Sequence, residues 1–260
     1  MNKIQESFNN DKSLIPYICA GDPNLNQTEE LIYTLSNSGA NIIELGIPYS
    51  DPLADGPVIQ AASQRALKNG TTLKKIISMT HRLDNIKTPL VLMGYYNSIL
   101  KYGKKQFITD IKDTNIAGVI IPDLPYEEDE NFYKNLNENG ISGILLVAPN
   151  TSAKRLQYLG NNSTGFLYCV SLLGVTGDKR GPFKQIDEYI NRVRENVDLP
   201  LALGFGIDSS KKAKQVSQYV DGIIIGSAII KIINKYHKNS SKMMNQVKKF
   251  VQDIKSAITD

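Results

Sequence analysis

The apolar positions of this chain follow two periodicities. Eight short, nearly continuous apolar runs recur along it: Leu14–Cys19, Asn41–Gly46, Pro89–Met93, Ala117–Ile121, Ser142–Val147, Gly165–Ser171, Pro200–Gly204 and Asp221–Gly226. Runs this short, apolar without alternation, predict strands buried on both faces. The segments between them carry the helical period. Leu31, Leu35 and Ser38 share one face, and Met243, Met244, Val247, Phe250, Val251, Ile254 and Ile258 form a long stripe near the end. That stripe predicts a helix packed on the outside of a sheet rather than a membrane or partner helix. Regular alternation of strand and helix predicts an α/β fold with a parallel sheet, closed as a single (β/α)8 (TIM) barrel domain over residues 1–260. The alternative is an open doubly wound sheet, which usually needs fewer strands and a glycine fingerprint that the chain lacks.

Length supports the barrel: 260 residues, 41% of them hydrophobic, can bury a large core and match the usual size of this architecture. Charge narrows the partners. Thirty basic against 26 acidic residues leave +4, and the lysines are scattered along helical segments instead of forming a block, so no nucleic-acid partner is expected. No apolar run approaches about 18 residues, so no membrane span is expected. Cys19 and Cys169 both fall inside apolar runs, where a free thiol behaves as a small hydrophobe, and this predicts a reducing compartment. The start of the chain, with Glu6 and Asp11 among asparagines, resembles neither a signal peptide nor a transit peptide. A cytoplasmic protein is expected. The abundance of Asn, Lys and Ile fits an AT-rich genome, hence a bacterial cytosol or the stroma of a plastid that encodes the protein.

In a barrel the chemistry gathers at the C-terminal ends of the strands, so the polar residues just after each run are the candidates. Glu44 stands inside the second run, between Ile43 and Leu45. Burial disfavours its charged form, raises its pKa and poises it as a general acid or base near neutrality; a structural ion pair is the plain alternative. Asp55 follows in a loop rich in proline, a composition that can hold a side chain over the barrel mouth; a turn-capping role is its plain alternative. Two carboxylates in different surroundings can divide acid and stabilising roles. On the other side, Gly204 and Gly206 end the seventh run, and Gly226 and Ser227 end the eighth before an apolar helical turn. Barrels bind phosphate there, with amide groups exposed by glycine and a helix N-terminus. The glycine-punctuated segment Gly174–Gly181, which includes Thr176 and Gly177, reads as a lid. Asp51 and Pro52, in the loop that carries Asp55, read as a docking surface for another protein.

Some chemistries are disfavoured. His81 and His237 fall in helical segments, and no cluster has metal-ligand spacing, so no metal is expected. None of the eight runs contains a lysine, which argues against a Schiff base. A bond-cleaving reaction would need a substrate that supplies its own electron sink.

The stretch Glu44 to Gln60, ELGIPYSDPLADGPVIQ, strongly resembles the signature of the tryptophan synthase alpha subunit family. Pro16–Pro23, Gly174–Gly177, Gly204–Ile207 and Gly226–Ile229 extend the likeness over essentially the whole chain. The resemblance implies retro-aldol cleavage of indole-3-glycerol phosphate to indole and glyceraldehyde 3-phosphate. It also implies no cofactor in this chain and a beta subunit that uses pyridoxal phosphate, the two forming an alpha2-beta2 heterotetramer. A stand-alone lyase releasing indole is the alternative. By matching position, Glu44 would be the acid–base residue, Asp55 would hydrogen-bond the indole N–H, Thr176 would hold Asp55, and Tyr95 and Tyr168 would line the indole pocket. Tyr17 stands where many members have phenylalanine, keeping the aromatic wall and adding a hydroxyl. Leu172 replaces an arginine of some members, so closure by that arginine's salt bridge is not expected.

Overall fold

The computed structural model describes residues 3–9, 11–170, 182–204 and 206–259. All its strands are parallel and belong to one sheet: β1 (Ser13–Cys19), β2 (Ile43–Gly46), β3 (Leu90–Met93), β4 (Ile116–Ile120), β5 (Ser142–Ile144), β6 (Leu146–Val147), β7 (Leu167–Val170), β8 (Leu201–Gly204) and β9 (Gly222–Ile225). Their order is β5-β4-β3-β2-β1-β9-β8-β7-β6. β5 and β6 are two pieces of the fifth apolar run, so the ends of this order meet and the sheet closes into a barrel. At the break, the Tyr168 N–H donates to the Leu145 carbonyl at 3.0 Å, while the Leu145 N–H turns to Ser163 Oγ at 3.0 Å. The strand changes neighbour there without stranding a buried donor.

The period of two along each strand sorts the core into two layers. Outward residues such as Ile18, Ile43, Leu45, Leu92 and Leu203 pack under the helices in the larger cluster. Inward residues Ile15, Ile42, Val91, Ile144, Phe166, Ala202 and Ile224 fill the barrel. Ile4, from the short helix Lys3–Glu6, and Phe8 plug its N-terminal end, Phe8 lying 5.6 Å from Phe166 between ring centres. The same alternation carries Tyr17, Glu44, Met93 and Tyr168 to the inward layer nearest the C-terminal end, so the sequence pattern that builds the core also aims these side chains at the mouth.

The helices begin where their capping chemistry directs. Asn24 Oδ1 accepts from the Gln27 N–H at the head of Leu25–Ser36, and Pro57 opens Pro57–Lys68, where an amide hydrogen would have no partner. Ser38, expected on the helical face of Leu31 and Leu35, lies past the end of that helix and bonds back to the Thr34 carbonyl. The apolar stripe forms the helix Ser240–Thr259, whose Met243, Val247, Val251, Ile254 and Ile258 are buried against Ser210–Ser217, Ser227–Tyr236 and Leu25–Ser36. It packs on the barrel's outside, as expected. Among the described residues, no helix is long and apolar enough to cross a membrane.

Candidate active site

Inside the barrel mouth lies an open cleft of about 180 Å³. Its floor is the upper inward layer: Tyr17 of β1, Glu44 of β2, Met93 of β3 and Tyr168 of β7. Ala54 and Asp55, from the loop after β2, fold over it, and Gly204, Gly206, Ile207, Gly226 and Ser227 form the opposite wall.

Glu44 is 1% exposed, and among the described residues neither carboxylate oxygen has a hydrogen-bond partner. Burial pushes its pKa up to about 8, and the nearby Asp55 charge adds to the rise. At neutral pH the group therefore holds its proton, which a general acid must do. The rings on either side help to create this dry setting. Tyr17 is buried and Tyr168 partly so, and the pKa of each hydroxyl is raised well above the ordinary value, chiefly by desolvation, with smaller contributions from nearby groups that include the two carboxylates.

These rings fit because three strand-end positions are glycine. A Cβ on Gly46 would meet the Tyr17 hydroxyl at 2.1 Å, one on Gly226 would meet the Tyr17 ring at 3.3 Å, and one on Gly204 would meet the Tyr168 hydroxyl at 2.9 Å. Gly204 thus makes room for the Tyr168 ring and Gly226 eases the seating of Tyr17, and both are also placed for the anion expected from the sequence. Gly206 has φ +57° and open space where a Cβ would stand, so it serves the turn. Ser227 is the first residue of the ten-residue helix Ser227–Tyr236, with Gly226 before it, so the helix N-terminus faces the cleft.

Asp55 is half-buried. Burial raises its pKa, and a hydrogen bond from the Tyr95 hydroxyl opposes the rise. The same hydroxyl accepts from the Ala54 N–H at 2.9 Å, and the Tyr95 ring stacks on Tyr49 at 4.9 Å. Tyr95 is buried behind the loop and meets the cleft through Asp55. Gln60 Nε2 donates to the Asp55 carbonyl at 2.8 Å. Asp51 and Leu53 of this loop are exposed, Leu53 by 87%, and Pro52 is partly buried.

The structure brings Tyr17, Glu44, Asp55, Tyr168, Gly204, Gly206, Gly226 and Ser227 together at one cleft. Thr176, Gly177 and Leu172 lie outside the described residues, as does Phe205 between two of the glycines. Sequence reasoning missed Ile59, Met93, Ile207 and Ile224 of the lining; Met93 and Ile224 were open to discovery, since each sits at a strand end in register with a named residue. Among the described residues, no group of three or more His, Cys, Asp or Glu side chains could hold a metal ion. His81 and His237 instead bond main-chain carbonyls of Asp110 and Asn234 at helix ends. Cys19 and Cys169 are buried free thiols.

A parallel barrel with a desolvated carboxyl group and a second carboxylate at the C-terminal ends of its strands defines the class: a barrel enzyme built for proton transfer on a bound small molecule. Comparison with known proteins gives the family. The family model for the tryptophan synthase alpha chain matches residues 4–259, and the chain belongs to that family. It is a carbon–carbon lyase of tryptophan biosynthesis that cleaves indole-3-glycerol phosphate. The tryptophan synthase alpha chain of Petrotoga mobilis is 56% identical over 256 residues, covering 98% of this chain and 99% of that one. That of a Thermoanaerobacter species is 44% identical, covering 99% and 100%. The crystal structure of the Legionella pneumophila alpha chain superposes with a TM-score of 0.90 at 33% identity, covering 99% and 97%. Membership implies a beta-subunit partner.

Proposed function

We propose that Glu44 carries both proton transfers of the cleavage and that Asp55 stabilises the charge which develops between them. The observation that carries this reading is the unpartnered, buried carboxyl group of Glu44 facing Asp55 across one cleft. Protonated Glu44 delivers its proton to C3 of the indole, giving an indoleninium. The Glu44 carboxylate then takes the proton of the adjacent side-chain hydroxyl. The electrons of the carbon–carbon bond return to the ring, and indole and an aldehyde form. The substrate's own ring is the electron sink, so the step needs no cofactor in this chain. Asp55, whose pKa is raised by burial with the hydrogen bond from Tyr95 opposing that rise, accepts from the indole N–H and in its charged form offsets the ring's positive charge. The phosphate sits against Gly206, Gly226 and Ser227, where amide groups and a helix N-terminus favour an anion.

Tyr168 and Tyr17 form the two aromatic walls of the indole pocket. The whole chain acts as one domain. Its partner is a pyridoxal phosphate-dependent beta subunit in an alpha2-beta2 assembly in the cytoplasm. The exposed Leu53, with Asp51 and Pro52 beside it, supports docking next to the Asp55 loop. The reading is tested by Glu44→Gln, which keeps the shape and removes the proton. Indole release should fall about 10²–10⁴-fold with substrate affinity nearly unchanged. Retention of more than about a tenth of wild-type turnover would make Glu44 structural.

A further inference from the structure

Arg65 lies on Pro57–Lys68, the helix that begins two residues after Asp55. Its guanidinium grips Asp22 with two parallel hydrogen bonds, Nε to Oδ1 at 2.8 Å and Nη2 to Oδ2 at 2.7 Å. The Asp22 carboxylate is fully buried just beyond β1, the strand that supplies Tyr17. Two further contacts run between the same segments: Cys19 Sγ with Ser63 Oγ at 3.8 Å, and Asn69 Nδ2 to the Pro23 carbonyl. The helix is therefore fixed along its length to the end of β1. At its other end, Gln60 on the first turn holds the Asp55 carbonyl. A continuous frame thus runs from β1, through Asp22 and Arg65, to the main chain of Asp55. A buried ion pair adds little net stability over an apolar contact of the same size, but a bidentate one fixes orientation.

We propose that Asp22 and Arg65 are positioning residues for the reaction: they set where Asp55 stands relative to Glu44 and the indole ring, without touching either. The proposal rests on the roles given above to Glu44 and Asp55. Arg65→Leu should release the frame and lower kcat about 10–100-fold, the scale expected for a displacement of about 1 Å at a reacting site. KM should change less than about threefold, because the phosphate wall belongs to β8, β9 and the helix after β9. The pH midpoint of Glu44 should also fall. The titratable groups facing Glu44 are Asp55, Tyr17 and Tyr168, and of these it is the Asp55 charge that adds to the rise of the Glu44 pKa. Withdrawing that charge leaves burial alone to raise the midpoint. Arg65→Lys, which keeps the charge and loses the fork, should restore kcat only in part.

The experiment is steady-state cleavage of indole-3-glycerol phosphate by the full chain with its beta subunit, from pH 5 to 9, for wild type, Arg65→Leu, Arg65→Lys, Asp22→Asn and Glu44→Gln. If Arg65→Leu does not fold, Asp22→Asn, which keeps the volume, carries the same expectations. A lowered kcat with the wild-type pH midpoint would mean a smaller folded fraction, and an unchanged kcat would mean no role; either overturns the proposal. An active Glu44→Gln would overturn the underlying reading instead, whatever the Arg65 variants do.

Discussion

Two carboxylates are buried in this molecule within a few residues of the C-terminal ends of neighbouring strands, and they are treated in opposite ways. Asp22, beyond β1, is fully covered and gripped by both arms of Arg65. Glu44, on β2, is equally covered and has no partner for either oxygen among the described residues. A buried charge is tolerated when it is paired, and otherwise the group takes up a proton. The difference between these two sites is the difference between a carboxylate committed to geometry and one left free for proton transfer.

The largest expected effect that sharpens this contrast is on stability, and its sign depends on pH. The folded-state pKa of Glu44 is about 8, against an ordinary carboxyl value near 4.5 when unfolded. Between those values the folded chain keeps a proton that the unfolded chain has lost, so wild-type stability falls as pH rises from about 4.5 and levels off above about 8. Glu44→Gln has no such proton to lose. Its stability relative to wild type should rise by on the order of 3–4 kcal/mol between about pH 5 and pH 8, as read by urea unfolding at each pH. Asp22→Asn should move the other way, destabilising at about pH 8 by about 2–3 kcal/mol, because the Arg65 charge loses its partner. Equal responses of the two variants would erase the distinction.

A third carboxylate tests the opposite wall. Gly226→Asp should weaken binding of glycerol phosphate about 10–100-fold while changing indole binding less than about threefold, measured by calorimetry, since it places an anion where an anion should sit. Gly226→Ala separates charge from crowding, because a Cβ there lies 3.3 Å from the Tyr17 ring. A loss as large for Ala as for Asp would assign the glycine to ring packing alone.

The smallest effect concerns the carboxylate that lies between the two extremes. Tyr95→Phe removes the hydrogen bond that holds the Asp55 pKa down, so that pKa should rise further. Loss of one such bond is worth about 1 kcal/mol, or roughly a fivefold fall in kcat/KM, with the acid limb of the pH profile displaced upward. An unmoved acid limb would place that limb on another group.

The strands were legible because each is short and apolar throughout, and all eight runs overlap observed strands. Glu44 was the most legible site residue, since a charge inside such a run has few reasons to be there beyond a structural ion pair or chemistry. The wall of Gly204, Gly206, Gly226 and Ser227 followed from barrel geometry applied to the last two runs. What stayed hidden depends on packing between segments distant in sequence. Arg65 sits in a helix among polar neighbours and reads as a solvated charge until the buried Asp22 is found 43 positions away. The Leu145 break has no signal in composition, because the run Ser142–Val147 is apolar across it. The hold of Tyr95 on Ala54 and Asp55 spans two loops, and no spacing encodes it.

The seating of Tyr17 on Gly46 and Gly226 also limits how this site can evolve. A side chain at position 46 would collide with the phenol before it reached any solvent. Positions 17 and 46 are therefore epistatic: a side chain at 46 becomes acceptable only after the aromatic residue at 17 has shrunk, whereas one at 226 asks the ring to give by only a few tenths of an ångström. Variation at position 46 should therefore follow a change at position 17 and not precede it, so this side of the pocket is retuned in a fixed order of steps.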